Sequence, residues 1–257
     1  MPRTARKKSE SGIYHIMLRG TNRQEIFHDD EDNIKFLEIL DRYKEKSGLR
    51  VYGWCLMVNH VHLLLGEGHE DISVTVKRIG VSFAWFYNHK YKATGHLFQD
   101  RYRSEGIEKE KYLMAAVRYI HHNPVKAGIA KSCIQWIWSS CHGYYGKEYY
   151  PPALLDSEFI LDMLSTDRAA AAEMFREYNE TEGEEKFMDD TQALRLTDEE
   201  ARAEIIKLIP EYTIPQIKSL PKVQRDKALK SIKRVPGLSQ RQAARILGIS
   251  PNLVFRA

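Results

Sequence analysis

Residues 49–65 read LRVYGWCLMVNHVHLLL, and this stretch decides the fold. The run 49–58 is dense in aromatic, β-branched and apolar residues, and 60–65 is a second run close behind it. Only Asn59 punctuates them, so the pair is expected to be a β-hairpin with a tight turn or a bulge. Side chains alternate faces along a strand, so His60 and His62 project one way while Val61, Leu63 and Leu65 project into the core. Two imidazoles on one stiff support can hold one ion. The next position on their face is Leu64, so any third ligand must come from elsewhere. Taken alone, the pair is open between a metal site and ordinary hydrogen-bonded or solvent-facing histidines. Mg²⁺ or Mn²⁺ suits a site that polarises a phosphate, while imidazole ligands favour Mn²⁺ or zinc on softness grounds. A closed structural zinc site needs two more nitrogen or sulfur ligands, which the sequence does not obviously offer.

Working outward, IYHIMLR (13–19) has the composition of a short strand. Residues 29–46 have helical period, with Ile34, Leu37 and Leu40 on one stripe, widened by Phe36, Ile39 and Tyr43. Residues 72–91 form a second helix with Ile72, Val76, Ile79, Phe83 and Phe86 at helical spacing. Gly95 introduces a strand over 96–107. A third helix over 108–123 is expected to end at Pro124, which cannot continue the hydrogen-bond ladder. The order is strand, helix, strand, strand, helix, strand, then a terminal helix. That is an α+β, ferredoxin-like (βαββαβ) antiparallel sheet with helices on one face.

Hydrophobic content of 43% and charged content of 29% are those of an ordinary globular chain, and the net charge is only +4. Its distribution says more. Residues 173–200 hold eleven acidic against three basic residues, whereas 201–257 hold twelve basic against three acidic. The Pro151-Pro152 pair marks a boundary near 150. Three units follow: a first domain over 1–150, a helical spacer with an acidic stretch over 151–217, and a basic unit over 218–257. Cys55, Cys133 and Cys141 show no C-x-x-C spacing, which fits a reducing compartment. No apolar run approaches the roughly 20 residues of a spanning helix, so no membrane partner and a cytoplasmic location are expected.

Tyr119 and Asn123 stand at i, i+4 on the third helix and so share a face, although the proline after Asn123 biases it out of helical geometry. A tyrosine there can deliver a phenolate, and an asparagine can offer an amide oxygen to an ion. Tyr112, seven residues earlier on roughly the same face, is the rival nucleophile, and His121 is a competing ligand. In the strand after Gly95, alternation puts Gln99, Arg101 and Arg103 on one face, a pattern of phosphate contacts that suits a single strand as well as a solvated edge. The basic arm with Arg3, Arg6 and Lys7 can lie along phosphate. At the far end, LSQRQAARILGISPNLVFRA (238–257) reads as a helix-turn-helix-like DNA-binding unit or a generic helical hairpin. Ser239 and Ser250 would cap its helices, Gly248 would turn the chain, and Asn252 and Arg256 would face DNA.

Several of these motifs, in this order, resemble the REP-associated tyrosine transposases, a group of single-tyrosine HUH transposases of bacteria. The resemblance rests on Tyr14-His15, Arg19-Gly20, Asn22-Arg23 and Ile26-Phe27, then on Asn59-His60-Val61-His62-Leu63-Leu64. It continues through Gly95-His96-Leu97-Phe98-Gln99 with Arg101-Tyr102, Tyr119-Ile120 with Asn123-Pro124-Val125-Lys126-Ala127-Gly128, and Trp138-Ser139-Ser140 followed by Tyr144. It spans about residues 2–146. Val58 stands where the family often has proline, which alters only the turn.

The resemblance implies that His60 and His62 ligate a divalent cation, Mg²⁺ or Mn²⁺, with Asn123 as third ligand. It also implies that Tyr119 attacks a DNA phosphorus, leaving a 5′-phosphotyrosine and a free 3′-hydroxyl. Arg19 and Arg23 join the expected DNA contacts. Phenol, with a pKa of about 10, is a poor nucleophile at neutral pH, so a cation at the scissile phosphate is chemically reasonable. The expected function is a metal-dependent single-stranded DNA endonuclease and strand transferase acting on hairpin repeats, as a monomer or homodimer. The alternative is a non-catalytic DNA-binding regulator on the same fold.

Overall fold

Val61, Leu63 and Leu65 are buried as the alternation requires, and they fix the register of a four-stranded sheet. The protein is described by a computed structural model covering residues 8–99, 101–181, 183, 187, 196–235 and 237–256. Strands β1 (Ile13–Arg19), β2 (Arg50–Met57), β3 (His60–Gly66) and β4 (Arg103–Gly106) pair antiparallel in the order β2-β3-β1-β4. Helix α1 (Asp30–Ser47) links β1 to β2, and α2 (Ile72–Tyr91) links β3 to β4. This is the βαββαβ topology of a ferredoxin-like sheet.

The helix boundaries follow from caps. The Asp29 carboxylate accepts from the Asp32 backbone N–H, and Gly48 ends α1 at φ +67°. The Asp71 carboxylate accepts from the Ser73 N–H at the start of α2. Phe36 of α1 and Phe83 of α2 meet at 5.2 Å, and Gly80 of α2 lies against Leu18 of β1, on the sheet face that carries Val61 and Leu63. On α1, Phe36, Leu37, Ile39 and Leu40 are buried, but Ile34 lies at the rim, 36% exposed.

Three expectations are corrected. The strand over 96–107 shrinks to Arg103–Gly106, because the preceding residues leave the ladder to seat Leu97 and Phe98 beside α2. An isolated bridge, Gly20 to Phe98, the Gln99 N–H donating to Arg19 O at 2.7 Å and the Thr21 N–H donating to Leu97 O at 2.8 Å continue the pairing. Gln99, Arg101 and Arg103 therefore do not share a strand face.

Next, α3 (Glu110–Lys126) runs through Pro124 instead of stopping before it. Proline denies Ile120 O its ladder donor, and the Asn123 amide turns back to the helix. It donates to Tyr119 O at 2.9 Å and reaches Ile120 O at 3.5 Å.

Third, no separate spacer begins at 151. The chain divides into units Met1–Met188 and Asp189–Ala257. The outer edge of β2 is covered by 136–140, where Leu56 N–H donates to Trp138 O and the Trp136 indole to Leu56 O. Beyond it, the Asp156 carboxylate accepts from the Val51 N–H at 2.7 Å and pairs with Lys44 at 2.8 Å. Leu154, Leu155, Ile160, Leu161 and Phe175 join the same core. Covering a sheet edge removes a row of unpaired backbone groups, which ties this segment to the first unit. Short helices α4 (Cys141–Tyr144) and α5 (Glu158–Leu161) precede α6 (Arg168–Glu180), whose Phe175 stacks on Tyr144 at 4.3 Å. Cys55, Cys133 and Cys141 are free and buried.

The second unit contains α7 (Asp198–Leu208), α8 (Lys222–Ile232), α9 (Gln240–Leu247) and α10 (Pro251–Arg256) around Ile205, Leu229, Ala243, Ala244, Leu247 and Val254. Ser239 caps α9, Gly248 turns the chain at φ +64°, and Ser250 Oγ accepts from the Asn252 N–H. Among the described residues, no helix is long and apolar enough to cross a membrane.

Candidate active site

Register places His15 opposite Leu64 and Met17 opposite His62, so His15, Met17 and Arg19 share the face of His60 and His62. Arg103 stands opposite Met17 and Glu105 opposite His15, which extends that face onto β4. The crossover helices lie on the other side. Helix α3 packs on this one: His121 Nε2 meets Ser140 Oγ at 2.9 Å, and Ser140 Oγ lies within 3.4 Å of where a Cβ on Gly53 would stand.

The centre is a ring of aromatics. His62 is fully buried, and its Nδ1 lies 3.0 Å from His15 Nε2. The His60 and His62 rings meet edge-on at 4.9 Å, and His60 Nδ1 is held by Asn59 Oδ1 at 2.6 Å. Tyr119 presents its ring edge-on to both His62, at 5.9 Å, and His15, at 5.8 Å. Lys126 Nζ sits 4.4 Å from the centre of the Tyr119 ring, and Phe187 packs on the ring at 4.6 Å. Tyr119 is consequently 5% exposed. A cleft of about 340 Å³, lined by Tyr119, His122, Lys126 and Phe187 among others, opens beside it.

Tyr112 is held differently. Its hydroxyl donates to Glu105 at 2.6 Å, and burial, reinforced by that carboxylate, pushes the phenol well above its usual range. A tyrosine locked in its protonated form is the poorer nucleophile. His121, the competing ligand, is committed elsewhere too. It is fully buried between Ser140 and the Asn179 amide, and burial drives its pKa down to about 3. Asn179 O also bonds His122 Nε2 at 2.5 Å, and Arg118 stacks on Tyr178 at 4.2 Å, so the last turn of α6 clamps α3 on either side of Tyr119.

The donors expected from the sequence are His60, His62 and Asn123. Among the described residues no three His, Cys, Asp or Glu side chains form a metal-holding group. Yet a metal-bound histidine usually has its other ring nitrogen oriented by a partner. Both His60 and His62 have Nδ1 so held. Asn123 has its amide nitrogen engaged along α3.

Of the remaining expected contacts, Arg19 lies opposite His60 on the histidine face. Arg23 O accepts from the Asn59 amide at 3.2 Å, tying the turn after β1 to the start of β3. Arg101 is exposed and lines a cleft on the α2 side, whereas Arg103 is on the histidine side. Asn252 and Arg256 are exposed on α10. Arg3, Arg6 and Lys7 lie outside the described residues. Sequence reasoning did not single out His15 or Phe187 as site residues. A histidine in an otherwise apolar strand was the available signal for His15. Phe187 reaches the site only through the tertiary path of the chain.

The structure thus combines a ferredoxin-like sheet with a histidine pair facing a helical tyrosine. Residues 8–123 match the family "Transposase IS200 like". A putative REP-associated tyrosine transposase of Haemophilus influenzae is 24% identical over 155 residues, covering 56% of this chain and 87% of the relative. The REP-associated tyrosine transposase of Escherichia coli K12 is 27% identical over 112 residues, covering 43% and 65%. A solved structure described as a REP-associated tyrosine transposase bound to a REP hairpin is 21% identical, covering 59% of this chain and 89% of that one, with a TM-score of 0.49. These similarities are to the IS200-like transposases and to the REP-associated tyrosine transposases.

Proposed function

We propose that the protein is a metal-dependent single-stranded DNA endonuclease and strand transferase acting on hairpin or palindromic repeats through a 5′-phosphotyrosine intermediate. The observation that carries this reading is the approach of the Tyr119 ring to His62 and His15 across the sheet. His60 and His62, through Nε2, and Asn123, through Oδ1, would hold a divalent cation, Mg²⁺ or Mn²⁺. Such an ion polarises the scissile phosphate and offsets charge in the transition state. The sheet fixes both imidazoles, and His15 sets the His62 tautomer: with Nε2 reserved for the ion, Nδ1 carries the proton and donates to His15 Nε2. Tyr119 Oη bonds to phosphorus as the bond from phosphorus to the 3′ oxygen breaks. The phenol proton passes to a nearby base, and the departing oxygen is protonated as the free 3′-hydroxyl. Reversal by another 3′-hydroxyl rejoins the strand without ATP, because the phosphotyrosine conserves the bond. Arg19, Arg23, Gln99, Arg101 and Arg103 contact the strand. The second unit, through Asn252 and Arg256, is read as a helix-turn-helix-like accessory that grips duplex or stem.

The rival reading, a non-catalytic DNA-binding regulator, has one observation in its favour: Tyr119 lies under Phe187. The test is incubation of the full chain with labelled hairpin DNAs and Mg²⁺ or Mn²⁺, followed by a denaturing protein gel. A covalent adduct lost with a chelator, in Tyr119→Phe and in His62→Ala supports the enzyme. Hairpin binding without adduct or nick under any condition gives the regulator the lead.

A further inference from the structure

Helix α3 carries a further polar residue on the stripe of Tyr119 and Asn123. Lys126 stands three residues after Asn123 and seven after Tyr119, so all three share one face of the helix. Helical side chains lean toward the N-terminus, which carries the lysine stem back along α3. Its Nζ comes to rest 4.4 Å from the centre of the Tyr119 ring. Asn123 has a part in the cation site proposed above; Lys126 has none.

Three basic side chains, Arg118, His122 and Lys126, line the cleft beside Tyr119, and none of the described residues lining it is acidic. Two of the three are committed to α6. Arg118 stacks on Tyr178 at 4.2 Å and donates to its carbonyl at 3.5 Å, and His122 Nε2 donates to Asn179 O at 2.5 Å. Lys126 is exposed, and among the described residues it pairs with no carboxylate. An ammonium over a ring at an exposed position is a weak contact, so it does little to hold the fold. What the position offers is a full positive charge beside the ring that carries the attacking oxygen.

A scissile phosphate brought to Tyr119 enters with a negative charge on its non-bridging oxygens. Groups fixed in advance around such a charge contribute most when they are aimed at where it develops during reaction. Lysine suits this place, presenting three N–H donors on a compact charge that binds phosphate as a point charge. We propose that Lys126 binds a non-bridging oxygen of the scissile phosphate and is a catalytic residue of strand cleavage. The proposal rests on the single-stranded DNA reading above and adds a group to it. Lys126 stays an ammonium throughout, so no proton leaves or joins it as the bond from Tyr119 Oη to phosphorus forms and the bond to the 3′ oxygen breaks.

The test uses the full chain and two hairpins, one natural and one with an uncharged methylphosphonate at the position cleaved in natural DNA. Cleaved strand is measured in a single turnover with Mg²⁺ or Mn²⁺. Lys126→Met, which keeps the length of the side chain without its charge, should slow cleavage of natural DNA about 100-fold, the low end for removing one donor to a transition-state charge. Lys126→Arg, which keeps the charge, should lose at most about ten-fold. On the methylphosphonate, wild type and Lys126→Met should cleave within about three-fold of each other, since no charge is left to neutralise. A second readout needs no reaction. With the metal chelated, wild type should bind the natural hairpin about ten-fold more tightly than the methylphosphonate hairpin, the low end for a hydrogen bond to a charged group. Lys126→Met should bind the two alike.

Equal penalties on the two DNAs, Lys126→Arg as slow as Lys126→Met, or a wild type that binds both hairpins alike overturns the proposal. The two readings fail differently. Cleavage of natural DNA that survives Lys126→Met unchanged sinks the role of the lysine alone, whereas a wild type that cleaves no hairpin sinks the catalytic reading and the lysine with it.

Discussion

The two faces of the sheet are built from the same four strands and bury opposite kinds of side chain. Under α1 and α2 lie Ile16, Leu18, Val61, Leu63, Phe36 and Phe83, a nearly hydrocarbon layer. Under α3 lie His15, His62, His121, Asn123, Ser140 and Asn179, each buried and polar. Burying a polar group costs stability unless a partner replaces water, and networks that satisfy one another are retained where their chemistry or geometry is needed. One face therefore supplies the fold's stability, and the other holds functional groups in fixed positions at some expense to it.

This division can be broken deliberately. The largest effect expected is on Tyr119→Phe, which should bring adduct formation to background while unfolding free energy stays within about 1 kcal/mol of wild type, the scale of one hydrogen bond. Loss of both would mean the two faces are not separable. Next, Phe83→Ala should lower unfolding free energy by about 3–5 kcal/mol in urea titration, as for a large ring removed from a packed core. Its folded fraction should still form adduct. Third comes a pH effect. Above the ordinary histidine pKa of about 6.5, His121 is neutral in both folded and unfolded chains. Below it, the unfolded chain takes up a proton that the buried ring refuses down to about 3, so stability falls as pH falls. Between pH 6.5 and 5 this contributes about 2 kcal/mol, and His121→Gln should flatten that part of the urea-midpoint profile. The smallest effect is expected of Tyr112→Phe. Its phenol is held protonated by burial and Glu105, so adduct yield should stay within about five-fold of wild type. Abolition of the adduct there would move the chemistry to Tyr112.

Much of this was legible in the sequence because period alone carries it. Alternation in 60–65 gave the histidine face, and the apolar spacings of 29–46 and 72–91 gave α1 and α2. What was not legible depends on contacts distant in sequence. The strand after Gly95 looked long because its composition suits a strand, but Phe98 is drawn onto α2 instead. Pro124 looked like a stop because a side-chain donor to the carbonyls of the helix cannot be inferred from proline itself. Residues 151–181 looked like a spacer since nothing local announces that Asp156 caps the edge of β2 or that Asn179 binds His121. The covering of Tyr119 by Phe187 joins residues 68 positions apart (187 − 119), and no local rule reaches that far.

Asn123 combines two duties that are usually separate. Its amide nitrogen splints the helix across the proline, and its oxygen is the atom proposed to meet the cation. For a gene that drifts once its activity is no longer selected, most positions let chemistry lapse while the product still folds. Position 123 offers no such quiet route, because any replacement without an amide loosens the end of α3 at the same moment. Tyr119 does offer one, since phenylalanine keeps the whole ring. Decayed but well-folded copies are accordingly expected to lose the hydroxyl at 119 before the amide at 123, an order that sequencing a lineage of inactive copies would reveal.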